Sequence, residues 1–433
     1  MSKLLYKFKL MCAYRDAVTT RVPFLFKKKI HRHRALSEQA ALQLRDKKVI
    51  DVAFLLTIPG MWKLDYVFEA LRKDSRFHPY IVIFPYSHFK SFEKDELWKT
   101  VRRTEDFIKS RGYEYVIPYN EQTGKWEDIK KTLNPDIVFF TTPYRDILPQ
   151  YYVYHFADKL TFYVSYSFQA MNAYKLDYDQ ISQSLFTAVF AESPMHLEYA
   201  HRYDRAGGEN YVVTGYPGTE VYLHKDYVAK DVWKPQATSK KRVIWAPHHT
   251  IDAADDFQSS TFLDVCEDML RLAEKYKDTI QFAFKPHQLL KFKLMKLWGE
   301  ERTLAYYQKW AEMENTQLEE ADYRDLFIHS DAMLHDSGSF TVEYLFVNKP
   351  VMYLVKDNQQ PQQLFNTFGE KAFQQHYHAH SVEDIENFLK EVVLKGNDPI
   401  KTEREKFYND YLAPIGGKMP SENIVGYIKN LIK

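Results

Sequence analysis

Glycine and cysteine are both scarce. There are 14 glycines in 433 residues, and neither G-x-G-x-x-G nor a P-loop pattern occurs, which excludes the two familiar glycine-loop nucleotide sites. Cys12 and Cys266 are the only cysteines, too few for a disulfide framework or a thiolate metal cluster, and this fits a reducing compartment. No apolar run approaches the roughly 18 residues that span a bilayer, and no signal peptide with a cleavage site is apparent, so a cytoplasmic location is expected. There are no internal repeats. What the chain has instead is aromatic mass: 32 Tyr and 30 Phe, within a 45% hydrophobic composition that rules out disorder. Its length suits two domains with substantial cores.

The formal net charge of +1 conceals an asymmetry. Residues 1–48 carry 13 lysines and arginines against three acidic residues, so the rest of the chain is acidic. Leu4, Leu5, Phe8 and Met11 fall at helical spacing among Lys3, Lys7 and Lys9, and Phe24-Leu25-Phe26 runs into Lys27-Lys28-Lys29. Apolar residues beside clustered cations suit an anionic membrane surface. The alternative is a helix packed on the first domain with solvated lysines; nucleic acid is set aside as a partner. The folded core is expected to need nothing from residues 1–48, because the first strand starts near Val49.

From there strand and helix patterns alternate. Val49–Thr57 is a nearly continuous apolar run, as in a strand buried on both faces of a parallel sheet. Further strands are predicted at Tyr80–Phe84, Tyr113–Ile117, Asp136–Thr141, Leu160–Ser165, Leu185–Ala191 and Tyr211–Thr214. The alternation argues for a doubly wound sheet. A polar stretch, 221–240, reads as a linker. A second alternating set follows over 241–400, and a helical tail over 401–433. Two side motifs are weaker: His376-Tyr377-His378-Ala379-His380 reads as a solvated loop, and Asp177-Tyr178-Asp179 as a loop.

The chemistry concentrates in three places. Ser330–Leu334 reads as a strand, Asp336-Ser337-Gly338-Ser339 as a small polar turn, and Phe340–Val347 as a helix. A turn between a strand's end and a helix's first residues favours an anion, Gly338 permits close approach, and Glu343 sits one turn on, able to accept from sugar hydroxyls. Trp245-Ala246-Pro247-His248-His249 and Phe284-Lys285-Pro286-His287 are likewise strands running into loops. Two imidazoles, an ammonium and a helix N-terminus would then converge on one anion, and a nearby phosphate should favour the imidazolium.

These residues resemble a family. Asp336-Ser337-Gly338-Ser339, Glu343-Tyr344 and Asn348-Lys349-Pro350 are similar to the D-Y-S-S…D-Y…N-K-P stretch of the CDP-glycerol glycerophosphotransferases, which make teichoic acids and capsular polymers. Lys285-Pro286-His287 and Gly215-Tyr216-Pro217 are similar to two more of its elements, although Gly218 stands where the family has Arg. The resemblance implies a GT-B fold, two Rossmann-like domains facing a cleft: an acceptor domain over 49–220 and a nucleotide-donor domain over 241–400, with the 401–433 tail crossing back. It implies transfer of a polyol phosphate from a CDP-activated donor to a surface polymer or its lipid-linked precursor, by an enzyme held at the inner face of the membrane. His287, His248 and His249 would be catalytic. Pro247, Lys285, Asp336, Ser337, Gly338, Ser339 and Glu343 would bind the donor, with no metal and no cofactor. Asp-Ser-Gly…Glu is also similar to UDP-GlcNAc 2-epimerases, so a nucleotide-sugar enzyme or an inactive relative is the alternative. One departure stands out. Where the family has a catalytic histidine in T-W-H-G-T-P, this chain has Val164-Ser165-Tyr166-Ser167-Phe168-Gln169, so either another group, with His155, His248 and His249 available, serves as base, or the acceptor or reaction differs.

Overall fold

The computed structural model describes residues 23–86, 94–145, 147–252, 258–320, 323–356 and 360–433. The chain forms two compact units, one of Met1–Ser167, Tyr174–Glu220 and Pro414–Lys433, the other of Phe168–Ala173 and Val221–Ala413.

The first unit is built on strands β1 (Ile50–Leu56), β2 (Phe77–Ile83) and β3 (Tyr115–Val116). A hairpin of β4 (Tyr119–Asn120) and β5 (Lys125–Trp126) follows, then β6 (Ile137–Phe140), β7 (Leu160–Val164), β8 (Ala188–Ala191) and β9 (Tyr211–Val213). Apart from the hairpin they form one sheet, ordered β3-β2-β1-β6-β7-β8-β9 and parallel throughout. The apolar runs anticipate this, because a parallel sheet is covered on both faces. Phe54 and Phe139 on adjacent strands stack at 4.6 Å. The C-terminal helix Pro420–Leu431 adds Ile424, Val425 and Ile428 to this core.

The helix Pro23–Leu44 corrects one expectation. Phe26, Ile30, His33, Ser37, Ala40, Ala41 and Leu44 are buried, a stripe at spacings of three and four, and the last three join the first unit's core. The folded unit therefore does need residues 23–44. Leu4, Leu5, Phe8 and Met11 lie outside the described residues. No described helix is long and apolar enough to cross a membrane.

The second unit holds β10 (Lys241–Ala246), β11 (Ile280–Phe284), β12 (Thr316–Leu318), β13 (Ala332–His335), β14 (Val351–Leu354) and β15 (Tyr377–Ala379), ordered β12-β11-β10-β13-β14-β15 and parallel. Its core centres on Trp245, Phe262, Phe284 and Trp310. Residues 221–240, read as a linker, run along this unit: Trp233 is buried and its indole N–H donates to the Leu326 carbonyl at 3.3 Å. The histidine-rich 376–380 stretch is no solvated loop. It supplies edge strand β15, with His376 buried and His378 stacked on Phe373 at 4.0 Å. Asp177-Tyr178 likewise ends a short helix, Tyr174–Tyr178.

Candidate active site

Register brings three loops of the second unit together. Trp245 pairs with both Phe284 and Leu334, and Ala246 with His335, so the chains leaving at Pro247, Lys285 and Asp336 start from one level. The strand order reverses between β10 and β13, and the crevice outside such a point is where open α/β sheets bind ligands.

His287 caps the helix Gln288–Trp298: its Nδ1 accepts the Leu289 N–H at 3.1 Å, and its backbone N–H donates to the Pro247 carbonyl at 3.0 Å. An accepting Nδ1 leaves the neutral ring's proton on Nε2. The His248 and His249 rings lie 4.3 Å apart, and 4.9 and 4.3 Å from that of His287. Burial holds His248 and His287 well below the ordinary imidazole range, and the neighbouring imidazoles and Lys293 add to it. Burial thus favours the neutral imidazole at His248 and His287, and closely spaced imidazoles resist gaining charge together, against the imidazolium that a phosphate beside them would favour. A neutral imidazole N–H can donate to an anion. Their ligand nitrogens all lie within 4.8 Å of one another, a spacing that also suits a metal ion. A metal on His287 would have to take Nδ1 from the helix cap or strip the proton from Nε2. Pro247 and Lys285 are buried at the base of the same loops.

The 336–343 segment is arranged differently from what its sequence suggests. Asp336 is fully buried and faces inward, its carboxylate accepting the His248 N–H at 2.5 Å and the Thr261 N–H and hydroxyl at 2.7 and 3.0 Å. It ties the β10 and β13 loops and the Phe262–Lys275 helix together, and a donor's phosphates would not meet it. Burial outweighs those bonds and pushes its pKa up to about 6. Glu343 is 1% exposed and accepts a hydrogen bond from the Tyr323 hydroxyl, so one of its oxygens is already engaged. Its helix is Phe340–Glu343 alone, tightening into the 3-10 turn Tyr344–Val347, so the dipole at its start is weak. Gly338 lacks a Cβ because Met171 needs the space: an added Cβ would stand 2.3 Å from Met171 Sδ. Ser337 is buried, its N–H donating to His335 Nδ1 at 3.1 Å, while Ser339 is half-buried. Of the nominated residues, His248, His249, His287 and Ser339 keep partial exposure at this edge.

Lys349, in the family-like Asn348-Lys349-Pro350, is structural. Its ammonium donates to the carbonyls of Ile328 and Ser330 where the helix Arg324–His329 ends. In the first unit His155 is already engaged, with Nε2 2.7 Å from the Asp128 carboxylate that caps Ile129–Thr132. Ser165 donates to the Ser167 carbonyl at 2.7 Å. Asp177 is the group sequence reasoning passed over: burial pushes its carboxyl up to about 7. The D-x-D pattern was its only signal, and Tyr174 and Tyr178 at helical spacing mark the short helix that carries it.

A profile of the CDP-glycerol:poly(glycerophosphate) glycerophosphotransferase family matches residues 169–430. No curated protein sequence matches the chain. Among solved structures, the wall teichoic acid polymerase TagF, in a variant soaked with CDPG, aligns with a TM-score of 0.58 at 12% identity, over 100% of this chain and 98% of its own. The Methanocaldococcus jannaschii UDP-GlcNAc 2-epimerase, with UDP-GlcNAc and UDP, gives 0.55 at 14% identity over 88% and 99%. An S. aureus MnaA–UDP co-structure gives 0.53 at 15% over 88% and 96%. At these identities the likeness concerns the fold, which is of the GT-B type with two Rossmann-like units.

Proposed function

Because the chain belongs to the CDP-glycerol:poly(glycerophosphate) glycerophosphotransferase family, we propose that its second unit holds CDP-glycerol with the diphosphate against His248, His249, His287 and Lys285. The observation that carries this is the level start of the three loops, which gathers three histidines at one strand edge. A hydroxyl of the polymer's terminal unit attacks the phosphorus that bears glycerol. The new P–O bond forms as the bond to the bridging oxygen breaks, CMP leaves, and the hydroxyl proton passes to a base or to solvent. His287 Nε2–H is the donor suited to the oxygen on which charge builds as CMP departs. Asp336 acts through others, by holding the His248 loop in place, and Ser337, Gly338 and Glu343 shape the wall behind it.

The acceptor we infer is a teichoic-acid-like poly(glycerol phosphate), free or lipid-linked, met at the inner surface of the membrane. Phe24 and Leu25 support attachment there, being 75% and 41% exposed beside Lys27, Lys28 and Lys29. Incubation with CDP-glycerol, and separately with UDP-sugars, tests the donor. CMP release that depends on acceptor and is lost in His287→Ala is expected. Release of UDP without CMP would replace this reading with a nucleotide-sugar reaction.

A further inference from the structure

The first unit has a cavity of its own, about 410 Å³, opening at the carboxyl end of β6. Phe140, the last residue of that strand, lines it, and β6 lies beside β1, where the strand order of the first sheet reverses. Its size and address are those of a ligand site. Among the described residues its lining charge is mostly basic: Arg145, Lys175 and Arg205 stand against Asp179. That carboxylate is engaged by Arg205, whose Nε lies 2.5 Å from Oδ1 while an Nη donates to the Asp179 carbonyl at 3.0 Å. The pair holds Arg205 in position and offsets the Asp179 charge that would repel an anion. Lys175 is exposed and has no partner among the described residues. Tyr144, Tyr152 and Tyr154 supply faces and hydroxyls, and Arg145 Nη2 donates to the Tyr154 hydroxyl at 3.3 Å.

The basic N-terminal helix reaches this rim. Lys29 Nζ sits 3.8 Å from the Tyr154 ring centroid, and the Arg205 guanidinium lies over Phe26 at 5.7 Å. Cations from four parts of the chain, positions 29, 145, 175 and 205, thus surround one polar opening. A solvated basic surface would not need the Asp179 brace or the tyrosine walls.

We propose that this cavity binds a glycerol phosphate unit of the acceptor chain, recognising its phosphodiester through Arg145, Lys175 and Arg205 and its polyol through the tyrosines. The proposal rests on the glycerophosphotransferase reading and assigns it an acceptor subsite wholly inside the first unit.

Calorimetric titration of the full chain with a synthetic glycerol phosphate trimer tests it, with inorganic phosphate and phosphatidylglycerol vesicles as separate arms. Losing a charge-assisted contact should weaken trimer binding about 10-fold or more in Lys175→Glu and in Arg145→Ala. Binding of CDP-glycerol should stay within about 2-fold of wild type, because the proposed donor loops belong to the other unit. Both residues are exposed, so the variants should melt as wild type does. Arg205→Lys, which loses the forked geometry, should also weaken the trimer. Unchanged trimer affinity in all three variants overturns the proposal, as does binding that only the vesicles show. If wild type binds the trimer and not CDP-glycerol, the donor reading fails while the cavity assignment stands.

Discussion

In the first sheet, the residues that follow β1, β6 and β7 are Thr57, Thr141 and Ser165; in the second, β10, β11 and β13 run into His248, His287 and Asp336. The hydroxyls of the first edge are spent on the fold. Thr141 donates to the Leu55 carbonyl at 2.9 Å, Ser165 to the Ser167 carbonyl, and Thr57 lies against Met61 Sδ at 3.3 Å. At the second edge Asp336 accepts the His248 backbone N–H and the Pro247 carbonyl accepts that of His287, and all three imidazoles keep partial exposure. The same strand order therefore supplies the same address twice, and the side chains decide which address does phosphate chemistry. The first unit carries its ionisable groups elsewhere, on Tyr174–Tyr178 and around the cavity beyond Phe140.

The largest test of that contrast is a pair of substitutions. Removing one preorganised donor from a developing oxyanion commonly costs about 10²–10³ in kcat, and His287→Ala should fall in that range with CDP-glycerol KM little changed. Ser165→Ala, at the equivalent edge of the first sheet, should stay within a few-fold of wild type, because its hydroxyl is already committed. Steady-state CMP release measures both. Comparable losses would mean that the first edge takes part in the chemistry after all.

Acid should separate the units next. His248, His287, His335 and His376 are all held below the ordinary imidazole value by burial. Unfolded histidines take up protons first as pH falls below about 6.5, so these four withdraw stability from there downward. Asp336, raised to about 6, works the other way and is outnumbered. In the first unit, Asp177, raised to about 7, keeps its proton when folded, so its contribution is present at low pH and is lost as pH rises through 7. Hydrogen exchange at about pH 7.5 and 5.5 should show protection falling first around 245–250, 285–290 and 372–378. Earlier loss around 160–190 would reverse the assignment.

The same contrast bears on what the sequence makes legible. Both sheets are readable from apolar runs such as Ile137–Phe140, since burial on two faces leaves no polar alternation. The histidines are readable because each lies within three residues of a strand's end, so parallel pairing brings them to one edge. Asp336 and Glu343 mislead for a physical reason: a carboxylate pattern shows proximity to a site but not whether the side chain turns toward ligand or toward the backbone N–H groups behind it. Tyr323, twenty residues upstream, decides the case of Glu343. The helix Pro23–Leu44 misleads through its lysines, since the buried stripe from Phe26 to Leu44 is interleaved with charge.

Asp336 offers a smaller and more specific test. Asp336→Asn keeps the shape but turns an amide N–H toward the His248 or Thr261 donors, which leaves one buried pair unmade at a cost of about 1–3 kcal/mol. Loosening of the His248 loop should raise the CDP-glycerol KM alongside the loss of stability, measured by thermal melts and initial rates. A variant that loses stability with an unchanged KM would make Asp336 a brace for the sheet without influence on the donor loops.

The smallest expected effect falls on Gly338. Its backbone dihedrals do not demand glycine, since no positive φ occurs there; what excludes a methyl group is Met171, whose Sδ and Cγ would stand 2.3 and 2.8 Å from the new Cβ. Met171 is flexible and can yield, so Gly338→Ala should cost about 1 kcal/mol, the low end of overpacking. Shortening the partner should relieve it: adding Met171→Ala ought to recover part of that loss, with a coupling energy of about 0.5 kcal/mol or more in a double-mutant cycle. This separates two reasons for a glycine beside a phosphate-binding edge. If the glycine served close approach of the donor, Gly338→Ala would raise the CDP-glycerol KM and Met171→Ala would not help. Because the room at Gly338 is filled by Met171, stability and rescue should move together while donor affinity stays near wild type.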